Sequence, residues 1–278
     1  MNSEYTDLTA DQLREYIRQH GEQEYILVDV RQPREYREKH IPGAHLLPLG
    51  ELAARKAELP ADREVIFYCR SGRRSAAAAV FWANTGQAGK TVYNLQGGIL
   101  AFDGITVSDF PDLHVFDDSR SIGDLLYTAM DLEKGAWRFY SKVLEMDADL
   151  PYRAAIDLLS RAEEGHARLI YGFWVKYRQD PPPFPEVYDA LNGEVLEGGQ
   201  RLDALMDRLA MSEDPQVRIL EMAIGIEHAA YDMYRSMAHQ MSGTTMEQPF
   251  LAIADAEKEH MRIAADALST CTPQKDTT

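Results

Sequence analysis

The spacing of hydrophobic positions changes near residue 115. Before that point, short apolar runs alternate with helical stretches. Tyr25–Val30, Glu64–Tyr68 and Thr91–Leu95 are brief and rich in β-branched and aromatic residues, as strands buried on both faces are. Asp11–Arg18 and Arg74–Asn84 read as helices. Such alternation predicts an α/β domain with a mostly parallel sheet, in which ligand sites lie at the carboxyl ends of strands. Beyond residue 115 the period becomes helical throughout. Four long amphipathic stretches cover 121–146, 150–178, 214–241 and 245–269. Asp180-Pro181-Pro182-Pro183-Phe184-Pro185 must break the chain between the second and the third. Two helical hairpins joined by a long crossover form one variant of the four-helix bundle. The expected organisation is a first domain over 1–112, a linker over 113–120 and a bundle over 121–278.

Composition sharpens this division. The 278 residues carry 29 Lys+Arg against 45 Asp+Glu, a net charge of −16. Residues 1–115 hold 13 basic and 16 acidic residues, a net of −3; the remainder holds 16 and 29, a net of −13. An acidic chain repels phosphate backbones and anionic lipid surfaces, so neither nucleic acid nor membrane is an expected partner. The longest uninterrupted apolar run, Ala76–Ala83, is far short of the roughly 20 residues needed to span a bilayer. Met1-Asn2-Ser3-Glu4 lacks the basic and apolar regions of a signal peptide. The two cysteines, Cys69 and Cys271, are far apart and imply no disulfide framework. A reducing, cytoplasmic location is therefore expected.

Cys69 carries the first candidate chemistry. It follows the strand Glu64–Tyr68 directly and precedes Arg70-Ser71-Gly72-Arg73-Arg74-Ser75 and an Ala-rich helix. A sulfur between a strand end and a helix N-terminus meets converging N–H groups and a favourable dipole. Arg70, Arg73 and Arg74 add positive potential, and Gly72 permits a positive φ in a cradle-shaped loop. These influences predict a low-pKa, reactive thiolate. A phosphatase needs an arginine six residues after its cysteine; Ser75 stands there instead, and the shorter loop suits a single sulfur atom.

Asp29-Val30-Arg31-Gln32-Pro33-Arg34-Glu35-Tyr36, His40-Ile41-Pro42-Gly43-Ala44-His45 and Gln96-Gly97-Gly98-Ile99 with Phe102 resemble the signatures of the single-domain rhodanese family. The resemblance covers about residues 5–107. It implies that Cys69 takes a sulfane sulfur from a small donor such as thiosulfate or a persulfide, becomes a persulfide, and passes the sulfur to a thiol acceptor. Arg70 and the loop from Ser71 to Ser75 would hold the anionic donor. Asp29, Arg31 and the His40-Ile41-Pro42-Gly43 turn read as structural.

The helical half contains a repeat. Glu133 and Glu227 are 94 residues apart, as are Tyr140 and Tyr234, Glu163 and Glu257, and His166 and His260. Each half reads Glu-x6-Tyr on one helix and Glu-x2-His on the next. Residues three apart share a helix face, so Glu163/His166 and Glu257/His260 each offer two ligands together. If Glu133 and Glu227 also point inward, four carboxylates and two imidazoles converge. Their burial without cations would be prohibitive, whereas two metal ions resolve it. This donor set is the one that the general rule for di-iron and di-manganese carboxylate bundles describes. Oxygen donors with imidazole suit iron, and admit manganese. Tyr140 and Tyr234 are expected to donate to the ligand carboxylates.

This half resembles the rubrerythrin branch of the ferritin-like family over about residues 120–270. The expected fold is thus an α/β rhodanese-like domain, a parallel sheet with flanking helices, followed by an all-α ferritin-like four-helix bundle. Ala230 stands where many rubrerythrins carry a further glutamate, and no Cys-x-x-Cys pairs are present for an internal electron-transfer module. The resemblance implies an external electron donor, admits a homodimer and calls for no organic cofactor. The expected function is a sulfurtransferase coupled to a di-iron redox site, in reactive sulfur or peroxide handling. Two alternatives stand beside it: a di-iron peroxidase or oxidase with the first domain as sulfur sensor, and a non-enzymatic metal-binding or sulfur-carrier protein. Cys271 reads as an incidental thiol or as a shuttle for sulfur from Cys69.

Overall fold

The structure is a computed structural model that describes residues 5–85, 90–117, 119, 121–147 and 149–271, with side chains as far as 268. The side chain of Cys271 therefore lies outside the described residues. The chain forms two compact units. One comprises 1–111 with 234–255, the other 112–233 with 256–278.

The first unit contains a five-stranded parallel sheet. Its strands are β1 (Thr6–Leu8), β2 (Tyr25–Asp29), β3 (His45–Leu46), β4 (Glu64–Tyr68) and β5 (Val92–Leu95), ordered β1-β5-β4-β2-β3. Helices α1 (Ala10–Gln19), α2 (Pro33–Glu38), α3 (Leu52–Arg55) and α4 (Arg73–Asn84) connect them. Thr9 and Gln12 form a reciprocal capping box that starts α1, worth about 1 kcal/mol. Side chains alternate across a strand, and the two faces of the sheet bury different partners. Val28, Val65 and Phe67 pack with Ala78, Ala79 and Trp82 of α4. Tyr25, Leu27, Ile66 and Tyr68 pack with Leu13 and Tyr16 of α1 and Tyr36 of α2. Cys69 continues the phase of Val65 and Phe67, so it faces α4. Continuous apolar strands are explained: both faces are covered.

The second half carries α5 (Ile122–Met146), α6 (Arg153–Trp174), α7 (Phe184–Ala190), α8 (Leu202–Ala210), α9 (Pro215–Gln240) and α10 (Glu247–Cys271). The four long helices fall where the periodicity puts them. α6 ends at Trp174 and passes through a 3₁₀ turn at Val175–Tyr177 ahead of the proline run, after which the chain restarts as α7, with Pro185 in its first turn, where the missing N–H costs nothing. The crossover is thus not bare loop; α7 and α8 account for much of it. Residues 234–255, the end of α9 and the start of α10, belong to the first unit. Within that unit, buried Arg235 pairs with buried Glu22 at 2.8 Å, and Arg63 pairs with Glu247. In the second unit, Phe139, Tyr140, Val143, Ile156, Leu159, Leu220 and Ile226 form a common core. No helix among the described residues is long and apolar enough to cross a membrane.

Candidate functional site

The thiol of Cys69 sits beneath the N-terminus of α4. Gly72 is the N-cap with φ +87°, a conformation that a side chain would strain. Its N–H lies 3.2 Å from Sγ, and the Ser75 hydroxyl lies 3.4 Å away. Burial pushes the thiol up. Hydrogen bonds from the Ser75 hydroxyl and from the amides of Ser75, Ser71 and Gly72 outweigh it, and the net shift is downward. The arginines divide their roles. Arg74 forms a bidentate pair with Glu35 at 2.7 and 2.8 Å, which lowers the Glu35 carboxyl to about 2, and it also interacts with the Cys69 thiol. Arg70 and Arg73 are exposed at the rim of the loop and make no ion pair among the described residues. Ser71 is exposed; Gly72 and Ser75 are buried.

A second turn supports this loop from below. Gly98 has φ +59°, and a Cβ there would meet the Cys69 carbonyl oxygen at 2.3 Å. The Ile99 and Leu100 amides donate to the carbonyls of Cys69 and Arg70 at 2.8 and 3.1 Å. Gly97-Gly98 thus lets one backbone dock under another. On the other side, Asp29 and Arg31 form a buried pair, and Arg31 also donates to the Lys39 carbonyl at 2.7 Å. That pair fixes the turn after β2, the structural part expected of it.

The six candidate ligands of the helical half come together. Glu133, Glu163, His166, Glu227, Glu257 and His260 are all buried. The two hairpins reproduce each other. His166 Nδ1 is 3.2 Å from Glu133 Oε2, and His260 Nδ1 is 3.0 Å from Glu227 Oε2. The imidazoles stack with centroids 4.5 Å apart. Glu257 lies between them, 3.0 Å from His166 Nδ1 and 3.3 Å from His260 Nδ1. Neither Glu257 oxygen meets hydrogen-bond geometry among the described residues, although both imidazoles stand within ion-pair distance of it. Tyr140 donates to Glu227. Its repeat partner Tyr234 is fully buried, with its ring stacked on Phe250 in the first unit. His228 turns away and bonds the Ile224 carbonyl at 2.7 Å.

A fifth carboxylate stands beside these six candidate ligands, and the sequence pattern misses it. Glu197 comes from the crossover, is 1% exposed, and has no hydrogen-bond partner for either oxygen among the described residues. It gathers with Glu133 and Glu163, while Glu163, His166, Glu257 and His260 form an overlapping group. Glycines admit it. A Cβ on Gly135 of α5 would meet the Val195 carbonyl oxygen at 2.2 Å, and one on Gly198 would meet Ala229 Cβ at 2.7 Å. The crossover backbone therefore threads close to α5 and α9 and delivers its carboxylate inward. In sequence, Glu197 follows no helical period; Gly198-Gly199 behind it is the sole hint.

The electrostatics follow from this crowding. Burial and the neighbouring carboxylates raise Glu163 and Glu197 well above the usual carboxyl range, and burial raises Glu227. Burial also works against charge on Glu257, but His166 and His260 outweigh it and hold that carboxyl low. Glutamates overcome the burial of both imidazoles, pushing His260 up to about 10.

Similarities to known proteins fall in both halves of the chain. The Rhodanese-like domain family matches residues 9–104. A sulfurtransferase of Allochromatium vinosum is 41% identical over 80 residues, which are 29% of this chain and 73% of that protein. The chain belongs to the rhodanese family. The YtwF protein of Bacillus subtilis is 34% identical over 103 residues, 37% of this chain and 95% of that one. A rhodanese-like domain protein of Staphylococcus aureus gives a TM-score of 0.34 at 23% identity, covering 37% of this chain and 98% of that one. The Rubrerythrin family matches residues 218–278, so the rhodanese domain shares its chain with a rubrerythrin domain.

A rubrerythrin domain implies a di-iron site, and the residues present fit one. Glu197 is a buried carboxylate whose two oxygens have no hydrogen-bond partner among the described residues. That state is costly without a cation. Oxygen and imidazole donors in this proportion suit iron or manganese. Ala230 supplies no further carboxylate, whereas Glu197, from a different element, lies with Glu133 and Glu163 in a group that could hold an ion.

Proposed function

We propose that the chain transfers sulfane sulfur through Cys69 and couples this to redox chemistry at a di-iron site in its rubrerythrin domain. The observation that carries the first part is the Cys69 thiol, held under a helix N-terminus by the Gly72 amide and the Ser75 hydroxyl. Arg70 and Arg73 attract an anionic donor to the loop rim. The Cys69 thiolate attacks the outer sulfur of the donor; for thiosulfate, the S–S bond breaks and sulfite leaves with the electron pair. The amides that favoured the thiolate then stabilise the terminal sulfur of the persulfide. An acceptor thiolate takes that sulfur, and the electron pair of the broken bond returns to Cys69. Cys69 is 1% exposed, which favours a small donor presenting one terminal atom.

In the second domain, Glu133, Glu163, His166, Glu227, Glu257, His260 and Glu197 would hold the metal. Two bound iron ions would supply one-electron redox chemistry. Tyr140 orients Glu227 and places a hydroxyl proton at its Oε1. The apolar core around Phe139, Leu159 and Ile226 keeps bulk water away. Reactive sulfur or peroxide is the substrate class that joins the two chemistries.

Thiosulfate-to-cyanide transfer tests the reading directly. Cys69→Ser is expected to drop to background while retaining its iron. Equal rates in the two proteins would sink the proposal. For the metal half, Glu163→Ala in the full chain is expected to lose bound iron and peroxide consumption but to retain sulfur transfer.

A further inference from the structure

A third cluster of ligating side chains lies in the first unit, apart from the thiol loop and the helical carboxylates. His45 opens β3, Glu58 ends the short 3₁₀ turn at 56–58, and His239 lies one residue before the end of α9. All three belong to the same compact unit. His45 Nε2 is 3.2 Å from Glu58 Oε2, and His239 Nε2 is 3.9 Å from that same oxygen. The two rings lie face to face, centroids 3.4 Å apart and planes at 31°. The three donor atoms all fall within 4.8 Å of one another. Their side chains are 13%, 35% and 21% exposed, sheltered but reachable.

One feature makes this more than a stacked pair: Glu58 is fixed in place. Arg55 donates to its two oxygens at 2.6 and 2.8 Å and to Glu51 at 2.6 Å. One guanidinium against two carboxylates leaves a net negative charge. A carboxylate oxygen has lone pairs beyond those that Arg55 uses. Around a tetrahedral ion with bonds of about 2.0 Å, donors stand roughly 3.3 Å apart; His45 Nε2 and Glu58 Oε2 already stand near that distance, and His239 Nε2 must close toward them.

We propose that His45, Glu58 and His239 form a separate site for one divalent transition-metal ion of the zinc class. Two imidazole nitrogens and one carboxylate oxygen supply three ligands, and water completes the coordination. The ion ties three segments distant in sequence into one unit and anchors the end of α9 beside β3. It is independent of the sulfur-transfer and di-iron readings, because it uses none of their residues.

The test is calorimetric titration of the full chain, its helical site already loaded with iron, using Zn²⁺ as probe and measuring retained iron in parallel. The wild type is expected to take one Zn²⁺ per chain with iron content unchanged. His239→Gln and Glu58→Gln, which keep similar side-chain size, are expected to weaken that binding by at least about 10-fold. Both should keep their iron and their sulfur transfer, which reports that they fold. Absence of Zn²⁺ uptake beyond displaced iron in the wild type, or unchanged affinity in both folded variants, overturns the proposal.

Discussion

At the scale of single residues, the lowered pKa of the Cys69 thiol comes from neutral donors more than from the cations around it. The loop sequence draws attention to Arg70, Arg73 and Arg74. In the fold, Arg74 pairs with Glu35 and the other two face solvent, where water and salt screen them. The Ser75 hydroxyl and three amides do the lowering. A cysteine and its loop are legible in sequence because their order along the chain is their geometry. Which atoms point at the sulfur is not, because that depends on φ at Gly72 and on the phase of α4. Ser75→Ala should therefore shift the pH dependence of Cys69 alkylation upward by about one to two units, the effect of one hydrogen bond to a charged group. A lowered thiol pKa means that reactivity persists to lower pH, so the variant loses rate first on the acid side. Iodoacetamide alkylation rates across pH measure this; a profile that does not move would exclude the Ser75 contribution.

At the scale of elements, glycines decide where backbones can meet. Gly98 lets the turn after β5 sit under the thiol loop, and Gly135 lets the crossover sit against α5. The four long helices and the central strands are legible because period and length are written locally. The crossover is not, since α7 and α8 are short and Glu197 stands outside any repeat. The 94-residue duplication reveals only those ligands that both halves share. Gly135→Ala puts a methyl carbon 2.2 Å from the Val195 carbonyl, a clash worth about 1–3 kcal/mol. The crossover should withdraw and take Glu197 with it. The expected outcome is lower iron affinity together with a melting temperature several degrees lower, read by metal analysis and a thermal scan. Full iron retention with an unchanged melting point would show that Glu197 is not held by this contact.

At the scale of the whole molecule, the net charge of −16 is partly an internal property. Glu133, Glu163, Glu197, Glu227 and Glu257 are buried carboxylates rather than surface ones. Metal removal should expose that cost in a pH-dependent way. Glu163, Glu197 and Glu227 have raised folded values, so their contribution is full below about 4.3 and is lost as pH rises through those values. His166 and His260 are raised as well, so theirs is full below about 6.5 and is lost in the same direction. Glu257 is lowered and loses its contribution only in acid. The metal-free protein should become less stable from about pH 5 to 8, and the gap in melting temperature between loaded and metal-free forms should widen. A constant gap across that range would contradict this. The duplicated hairpins by themselves would make two equivalent metal positions, as in a symmetric pair of half-molecules. Glu197 has no counterpart on the Glu227 side among the described residues. The crossover that joins the halves thus also makes them unequal. Iron should accordingly enter in two distinguishable steps, with one equivalent bound before the next in a stepwise titration, so that a fold built by repetition handles its two ions in sequence.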